Sequence, residues 1–354
     1  MGLHSRLRPV PRRLTTHSLA PSSSSSSYSD APSPNFTSED QLSDSDEDPE
    51  DVYTSSLPNL FPDDAPQFHG DPGQHLLYSS PRHGELEIMV PSYPSQSQNS
   101  ERSKEIAEGL PRSDGQKNNI DEGRKLFAHF LWSAAMVVAE GFELADSHFT
   151  DHDGGFWKVQ GERVLELGAG AGLPSIIAAL ANASAVTITD HPSSPALGPS
   201  GAIAFNIKQN LQVSTKCASV DIRPHEWGTT FTSDPWAISN KGFYTRIIAA
   251  DCYWMRSQHE NLVRTMKWFL APTGKVWVVA GFHTGRPIVA GFFETAVSMG
   301  LEIEKIYERD LMSSLEDGEE VRREWVSDRE GEGPENRRRW CVVAVLKHAS
   351  TAAA

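Results

Sequence analysis

The sequence predicts a doubly wound α/β fold around a mostly parallel sheet, and three observations predict it. Short β-branched runs alternate with helix-period segments between Val164 and Leu346. The first run ends in Gly168, Gly170 and Gly172, at the place where such sheets make ligand-binding turns. The second run ends in an acid, Asp190, 22 residues after Gly168.

Taken in order, Leu76-Leu77-Tyr78 and Leu86 to Val90 read as two short strands joined by Ser80-Pro81-Arg82-His83-Gly84, a hairpin pattern. Arg124 to Glu143 reads as a helix, since Leu126, Phe127, Phe130, Leu131, Ala134, Val137 and Val138 fall on one face. Val164 to Leu167 is a strand ending in glycines, Leu173 to Ala181 a helix, and Ala185 to Asp190 a strand. A helix over Ala202–Leu211, a short strand over Ala218–Val220 and a strand over Arg246–Ala250 follow. The pattern continues with a helix over Glu260–Leu270, a strand over Lys275–Ala280, a helix over Ile288–Met299 and a strand over Leu301–Ile306. Trp340 to Leu346 is the last strand.

Composition sets the organisation around this core. Most of the net charge of −15 lies in the first hundred residues. Residues 1–50, a serine run followed by an acidic stretch, read as a disordered tail, and 51–120 as an N-terminal extension that contains the hairpin. Arg6, Arg8, Arg12 and Arg13 in an acid-free segment resemble a mitochondrial transit peptide, but Pro9 and Pro11 interrupt an amphipathic helix, so a tail on a cytoplasmic protein is preferred. The mildly acidic remainder gives no basic face for nucleic acid. The longest apolar stretch, Phe127 to Ala139, falls short of the about 20 residues that span a bilayer. Cys217, Cys252 and Cys341 have neither disulfide nor zinc spacing, so no metal is expected. A monomer is expected.

The glycine loop excludes two ligand classes. A dinucleotide fingerprint needs glycine where Leu173 stands, and no Gly-Lys-Ser/Thr ending for a phosphate loop is present. A ligand without pyrophosphate is therefore preferred. Glu166, two residues before the glycines, reads as ordering the loop beside a positively charged ligand, for which a sulfonium and an amino-acid ammonium both qualify; a loop-bracing acid is the alternative. Asp190 reads as an acceptor for ribose hydroxyls, or by itself as a turn acid before His191-Pro192.

Several pieces in order resemble the seven-β-strand methyltransferase family 16, in its fungal branch named nicotinamide N-methyltransferase-like or protein N-terminal and lysine methyltransferase of translation elongation factor 1A. They are Ser55-Ser56-Leu57 with Leu60-Phe61, Leu126 to Trp132, Val164 to Pro174, Thr189 to Pro192 and Glu226-Trp227-Gly228. Ala250 to Trp254, Gly281 to Arg286 and Arg339 to Leu346 complete the set, so the resemblance covers roughly residues 50–348. It implies a seven-stranded sheet with the last strand antiparallel, a methyltransferase domain over 121–348 and S-adenosyl-L-methionine as cofactor. It also implies that Trp132, on the helix before the sheet, walls the cofactor. Gly168, Ala169 and Gly170 would contact its methionine part and ribose, Asp190 the ribose hydroxyls, and Trp227 the adenine. Ala250 and Asp251 would border the sulfur and the acceptor.

The chain departs from the family at His191, where Tyr is frequent, at Ser133, where Asn is frequent, and at Cys252-Tyr253, where two apolar residues are. Asp251, a carboxylate at the sheet's carboxyl edge, is the candidate catalytic residue, and Tyr253, Trp254 and His283 are acceptor-side candidates. The acceptor the resemblance implies is a protein lysine or N-terminal amine on a translation factor. Nicotinamide or another small-molecule amine is the first alternative, and a non-catalytic cofactor-binding scaffold the second. An NAD-dependent oxidoreductase is disfavoured by Leu173 and Glu166.

Overall fold

The structure is a computed structural model. It describes residues 3–10, 67–92, 130–146, 156–211, 219–229, 231–313 and 320–350. The acidic tail, the Ser55–Phe61 piece, Leu126–His129 and Cys217 lie outside the described residues. The elements are β1 (Leu7–Pro9), β2 (Phe68–His69), β3 (His75–Ser80), β4 (Gly84–Met89), β5 (Leu131–Trp132), α1 (Ser133–Asp146), β6 (Arg163–Leu167), α2 (Leu173–Leu180), β7 (Ala185–Asp190) and α3 (Ala202–Asn210). They continue with β8 (Ser219–Pro224), α4 (Pro235–Ser239), β9 (Tyr244–Ala250), α5 (His259–Phe269), β10 (Leu270–Gly281), α6 (Arg286–Ser298), β11 (Leu301–Asp310), β12 (Arg322–Arg323), α7 (Pro334–Arg339) and β13 (Trp340–His348).

The alternation read from the sequence forms one twisted sheet in the order β12-β11-β13-β10-β9-β6-β7-β8. Strands β10, β9, β6, β7 and β8 run parallel, and β13 inserts antiparallel between β10 and β11. The sheet has eight strands rather than seven, because the short β12 adds to the edge of β11. Each central strand is buried on both faces, as parallel strands covered by helices must be. Alternate residues feed two cores: Val164, Val186, Ile248 and Val279 pack on one face, and Leu165, Leu167, Ile247 and Val278 on the other. Strand order reverses between β6 and β9, so a crevice opens beyond their carboxyl ends. No helix among the described residues is long and apolar enough to cross a membrane.

The predicted hairpin is β3–β4. Its outer edge is capped by two side chains one helical turn apart on α3. Asn206 donates to Met89 O at 3.0 Å and accepts from Met89 N at 2.7 Å; Asn210 makes the same pair of bonds to Glu87, at 2.8 and 3.0 Å. An amide group offers one donor and one acceptor in the spacing of a neighbouring strand, so the edge is satisfied without one.

Three expectations change. The helix expected from Arg124 begins at Ser133, and Leu131 and Trp132 instead form β5, paired with His69 and Phe68 of β2. The short helices α4 and α7 were not foreseen; Asp234 caps α4 by accepting from Trp236 N at 2.9 Å. Residues 3–10, which composition assigns to the disordered tail, are built into the fold. β1 pairs with β3, and Arg6 is buried, donating to Glu143 at 2.8 Å and Glu140 at 3.0 Å on α1. Glu140 also holds Arg309 of β11. Beside this anchor the His4 ring lies 5.3 Å from that of His69, whose Nε2 is 2.9 Å from Ser133 Oγ.

A second buried network holds the other flank. Arg286 donates to Glu332 at 2.6 and 2.9 Å and to Glu308 at 3.1 Å, with Arg323 on the same two carboxylates. Its guanidinium lies 4.2 Å from the Phe282 ring centre. Its place is structural: it ties α6 to β11 and to Glu332 just ahead of α7.

Removing Arg6 takes the cation from buried Glu143 and leaves buried Glu140 to Arg309 alone. Arg6→Ala is expected to cost about 3–5 kcal/mol of unfolding free energy, read by urea denaturation; an unchanged midpoint would mean that residues 3–10 do not dock.

Candidate active site

The crevice is built where β6, β7 and β9 end together. After Leu167 the chain turns through Gly168, Gly170 and Gly172, with φ of 64°, 54° and 73°. Only glycine takes these values without steric cost. Gly168 is required for a second reason: a Cβ there would lie 2.9 Å from Cys252 Sγ and 3.1 Å from the Trp227 ring. The turn is fixed from both sides. Ala169 N donates to Thr189 O at 3.0 Å, and Gly170 N donates to Asp190 Oδ2 at 2.8 Å. Asp190 Oδ1 accepts from His191 N at 2.7 Å. The Cys252 thiol meets Leu167 O at 2.9 Å and joins the end of β9 to the end of β6.

Glu166 is buried under this turn and accepts from Ser175 N, in the first turn of α2, at 3.2 Å. One N–H does not replace lost water, and burial pushes its carboxyl up to about 8. The acid form is therefore favoured at neutral pH, and a cation placed beside it would favour the ionised form.

Asp251 takes φ of 57°, the left-handed region, right after β9. Its N–H bonds Val279 O at 2.8 Å, and its carboxyl is buried with Oδ1 lacking a hydrogen-bond partner. Burial holds this carboxyl well above the usual range, against a weaker opposing hydrogen bond from the Gly281 backbone. His283 Nδ1 stands 3.6 Å from Oδ1, and burial lowers that imidazole to about 4. At neutral pH the imidazole is uncharged, so the contact is not an ion pair. Trp132 stacks on His283 at 4.5 Å and 28°.

Of the residues singled out from the sequence, Glu166, Gly168, Ala169, Gly170, Asp190 and Trp227 line a single cleft. Trp132, Ala250, Asp251 and Trp254 line the same cleft. His283 lies behind Trp132 and Asp251. Of the three acceptor-side candidates Trp254 alone lines the cleft, and Tyr253 points away from it. It turns into the core and stacks on Phe292 at 4.4 Å and 17°. The left-handed step at Asp251 breaks the strand alternation that would have placed it. His225, Ser193 and Met255 line the cleft without having been singled out. His225 follows β8 directly and its N–H bonds Asp190 O at 2.8 Å, so the end of the third parallel strand was the available signal.

The family model described as Lysine methyltransferase matches residues 116–297. Protein N-terminal and lysine N-methyltransferase efm7 of Schizosaccharomyces pombe is 32% identical over 201 residues, covering 54% of this chain and 71% of that protein. The EFM7 proteins of Yarrowia lipolytica and Gibberella zeae are each 31% identical, over 217 and 198 residues. They cover 56% and 53% of this chain, and 73% and 71% of their own lengths.

Gly168 and Gly170 share a backbone conformation but not surroundings, since a Cβ at Gly170 meets nothing within 4 Å. Gly170→Ala is expected to cost only the left-handed strain, about 1 kcal/mol. Gly168→Ala should cost about 2 kcal/mol more through its clash with Cys252 and Trp227. Equal costs in paired urea titrations would contradict the close approach.

Proposed function

The chain belongs to the lysine methyltransferase family, and on that premise we propose that it transfers methyl groups from S-adenosyl-L-methionine to a protein amine, a lysine side chain or an N-terminal amine, with translation elongation factor 1A as the type of substrate. The observation that carries this reading is the cleft itself. It joins a glycine turn open to close backbone approach to a buried carboxyl, Asp251, whose Oδ1 has no partner.

The residues present fit the cofactor. Glu166 lacks a cationic neighbour that a sulfonium or ammonium would supply, and burial has already raised its carboxyl for want of one. The backbone of Gly168, Ala169 and Gly170 lines the cleft, and at Gly168 and Gly170 no side chain stands between it and a ligand. Gly168, Ala169, Gly170, Glu166 and Asp190 would hold it, with Trp132, Trp227 and Ala250 as walls. When bound, the cofactor supplies a methyl group on a sulfonium, already activated for in-line displacement. The protein's part is then alignment and proton handling.

Acceptor chemistry falls to Asp251. An amine attacks only as the free base. An α-amine, with a pKa of about 7.7–8.0, gives up its proton at neutral pH more readily than lysine at about 10.4. Asp251, ionising as an ammonium arrives, holds the nitrogen by a charge-assisted hydrogen bond. Trp132 and Trp254 give the cleft aromatic walls that tolerate a cation.

Recombinant unmethylated elongation factor 1A, incubated with the protein and labelled donor, is expected to gain label at an amine, mapped by mass spectrometry. Label confined to small molecules of a cell extract would overturn the protein substrate. Asp190→Ala should weaken donor binding in calorimetry, since it removes the carboxylate that fixes Gly170.

The pH dependence follows from Glu166. Its carboxyl titrates at about 8 without ligand, and a cation favours the ionised form. Donor affinity should therefore rise by up to about tenfold per pH unit below 8, with release of a proton, and level off above it. Glu166→Gln should flatten this slope. A wild-type affinity independent of pH between 6 and 8 would refute the role.

A further inference from the structure

The Trp132 wall of the cleft belongs to β5, which pairs with β2 over Phe68↔Trp132 and His69↔Leu131, apart from the main sheet. A two-stranded ribbon of that length does not hold itself. α1 fixes it from the C-terminal side, because Ser133 opens that helix. His69 bonds Ser133 and so braces the ribbon from within. Gln67, which leads into β2, ties the ribbon to the sheet. Its carbonyl accepts from Ser133 N at 2.8 Å. Its side chain is buried, and Nε2 donates to Arg337 O at 2.7 Å and to Arg338 O at 2.9 Å. Those carbonyls lie in the last turn of α7, where no further helical N–H reaches them, and α7 leads directly into β13.

The same amide packs against the end of β10. A Cβ at Gly281 would lie 2.7 Å from Gln67 Cδ and 3.0 Å from Nε2, so the amide takes the space a side chain would need. Both N–H groups of that amide are committed to carbonyls, and it cannot turn aside without losing them. Its Oε1, turned toward Gly281, is buried with no hydrogen-bond partner. Gly281 lies two residues beyond Val279, whose carbonyl holds Asp251 N at 2.8 Å, and two residues before His283, on which Trp132 stacks. Gln67 therefore meets the strand end between the residue that fixes Asp251 and the one that backs Trp132.

We propose that Gln67 is a positioning residue that sets the Trp132 wall against Asp251 by locking β2 onto the end of β10 and the junction of α7 with β13. The inference rests on the methyl transfer proposed above. Gln67 is not among the residues that line the cleft, so it acts through others. It also lies outside residues 116–297, the part that the family model matches, so the N-terminal extension shapes the matched domain's cleft. The glycine turn and Asp190 are fixed from β6 and β7, away from Gln67. An in-line displacement depends on alignment, so a displaced wall lowers the rate more than it weakens the donor.

Gln67→Met keeps the bulk of the side chain and removes both donors. With fluorotryptophan incorporated and the Trp132 signal assigned by Trp132→Phe, the fluorine resonance of Trp132 should shift in Gln67→Met. Those of Trp157 and Trp277, stacked on each other in the core, should stay in place. An unmoved Trp132 resonance overturns the proposal, and so does an equal shift at Trp157 and Trp277, which would make Gln67 general packing. Gly281→Ala presses on the same amide from the other side, whereas in Gln67→Ala the added methyl enters vacated space. Their losses in thermal melting should therefore be less than additive; additive losses overturn the contact and the proposal with it. On unmethylated elongation factor 1A, Gln67→Met should lower kcat about tenfold to a hundredfold, with donor affinity in calorimetry within about threefold of wild type. An unchanged kcat, or an equal loss of donor affinity, overturns the proposal. Wild-type protein that leaves elongation factor 1A unmodified would instead overturn the proposed substrate, and the Trp132 resonance still decides the role of Gln67.

Discussion

The cleft depends on one backbone constraint: at two adjacent strands the chain must leave the sheet abruptly, through left-handed residues. At β6 glycines meet the demand, and at β9 Asp251 meets it with a side chain that pays strain of about 1 kcal/mol or more. The two turns are tied to one another. The Cys252 thiol bonds Leu167 O, and the space a Cβ at Gly168 would need is taken by Cys252 and Trp227. Displacing either turn therefore moves both the glycine loop and the Asp251 carboxyl.

Around those turns the rigid parts are held by buried charge rather than by apolar contact alone. Arg286 with Glu308 and Glu332 fixes the segment after β10, which carries His283. Arg6 and Arg309 meet Glu140 on α1, the helix that follows Trp132. Such networks add little net stability over apolar packing, but a broken one is costly, so they fix geometry. Both converge on the Trp132–His283 stack, one from each side.

The α/β alternation, the glycine turn and the acid ending β7 were legible in the sequence because each is local: a period, a residue type, a spacing. What was not legible is nonlocal. Arg6 looks like a tail residue because its partners Glu140 and Glu143 lie 134 and 137 positions away. Trp132 reads as helical because its apolar spacing continues that of α1, and only pairing with Phe68 makes it a strand. Tyr253 looked like a pocket residue because the sign of φ at Asp251 is not written in the neighbouring residue types. The resemblance to a family supplied Trp132 and Trp227, which no spacing rule would have chosen.

The place of β13 has a consequence for how the chain is made. β13 separates β10 from β11, so β11 has no neighbour except β12 until residues 340–348 have left the ribosome. The parallel half can assemble as it emerges, but until then the nascent chain carries two open strand edges, β10 and β11, with unpaired backbone groups. A message cut short before codon 340 would therefore yield a sticky half-sheet that quality control must clear, not a shortened enzyme.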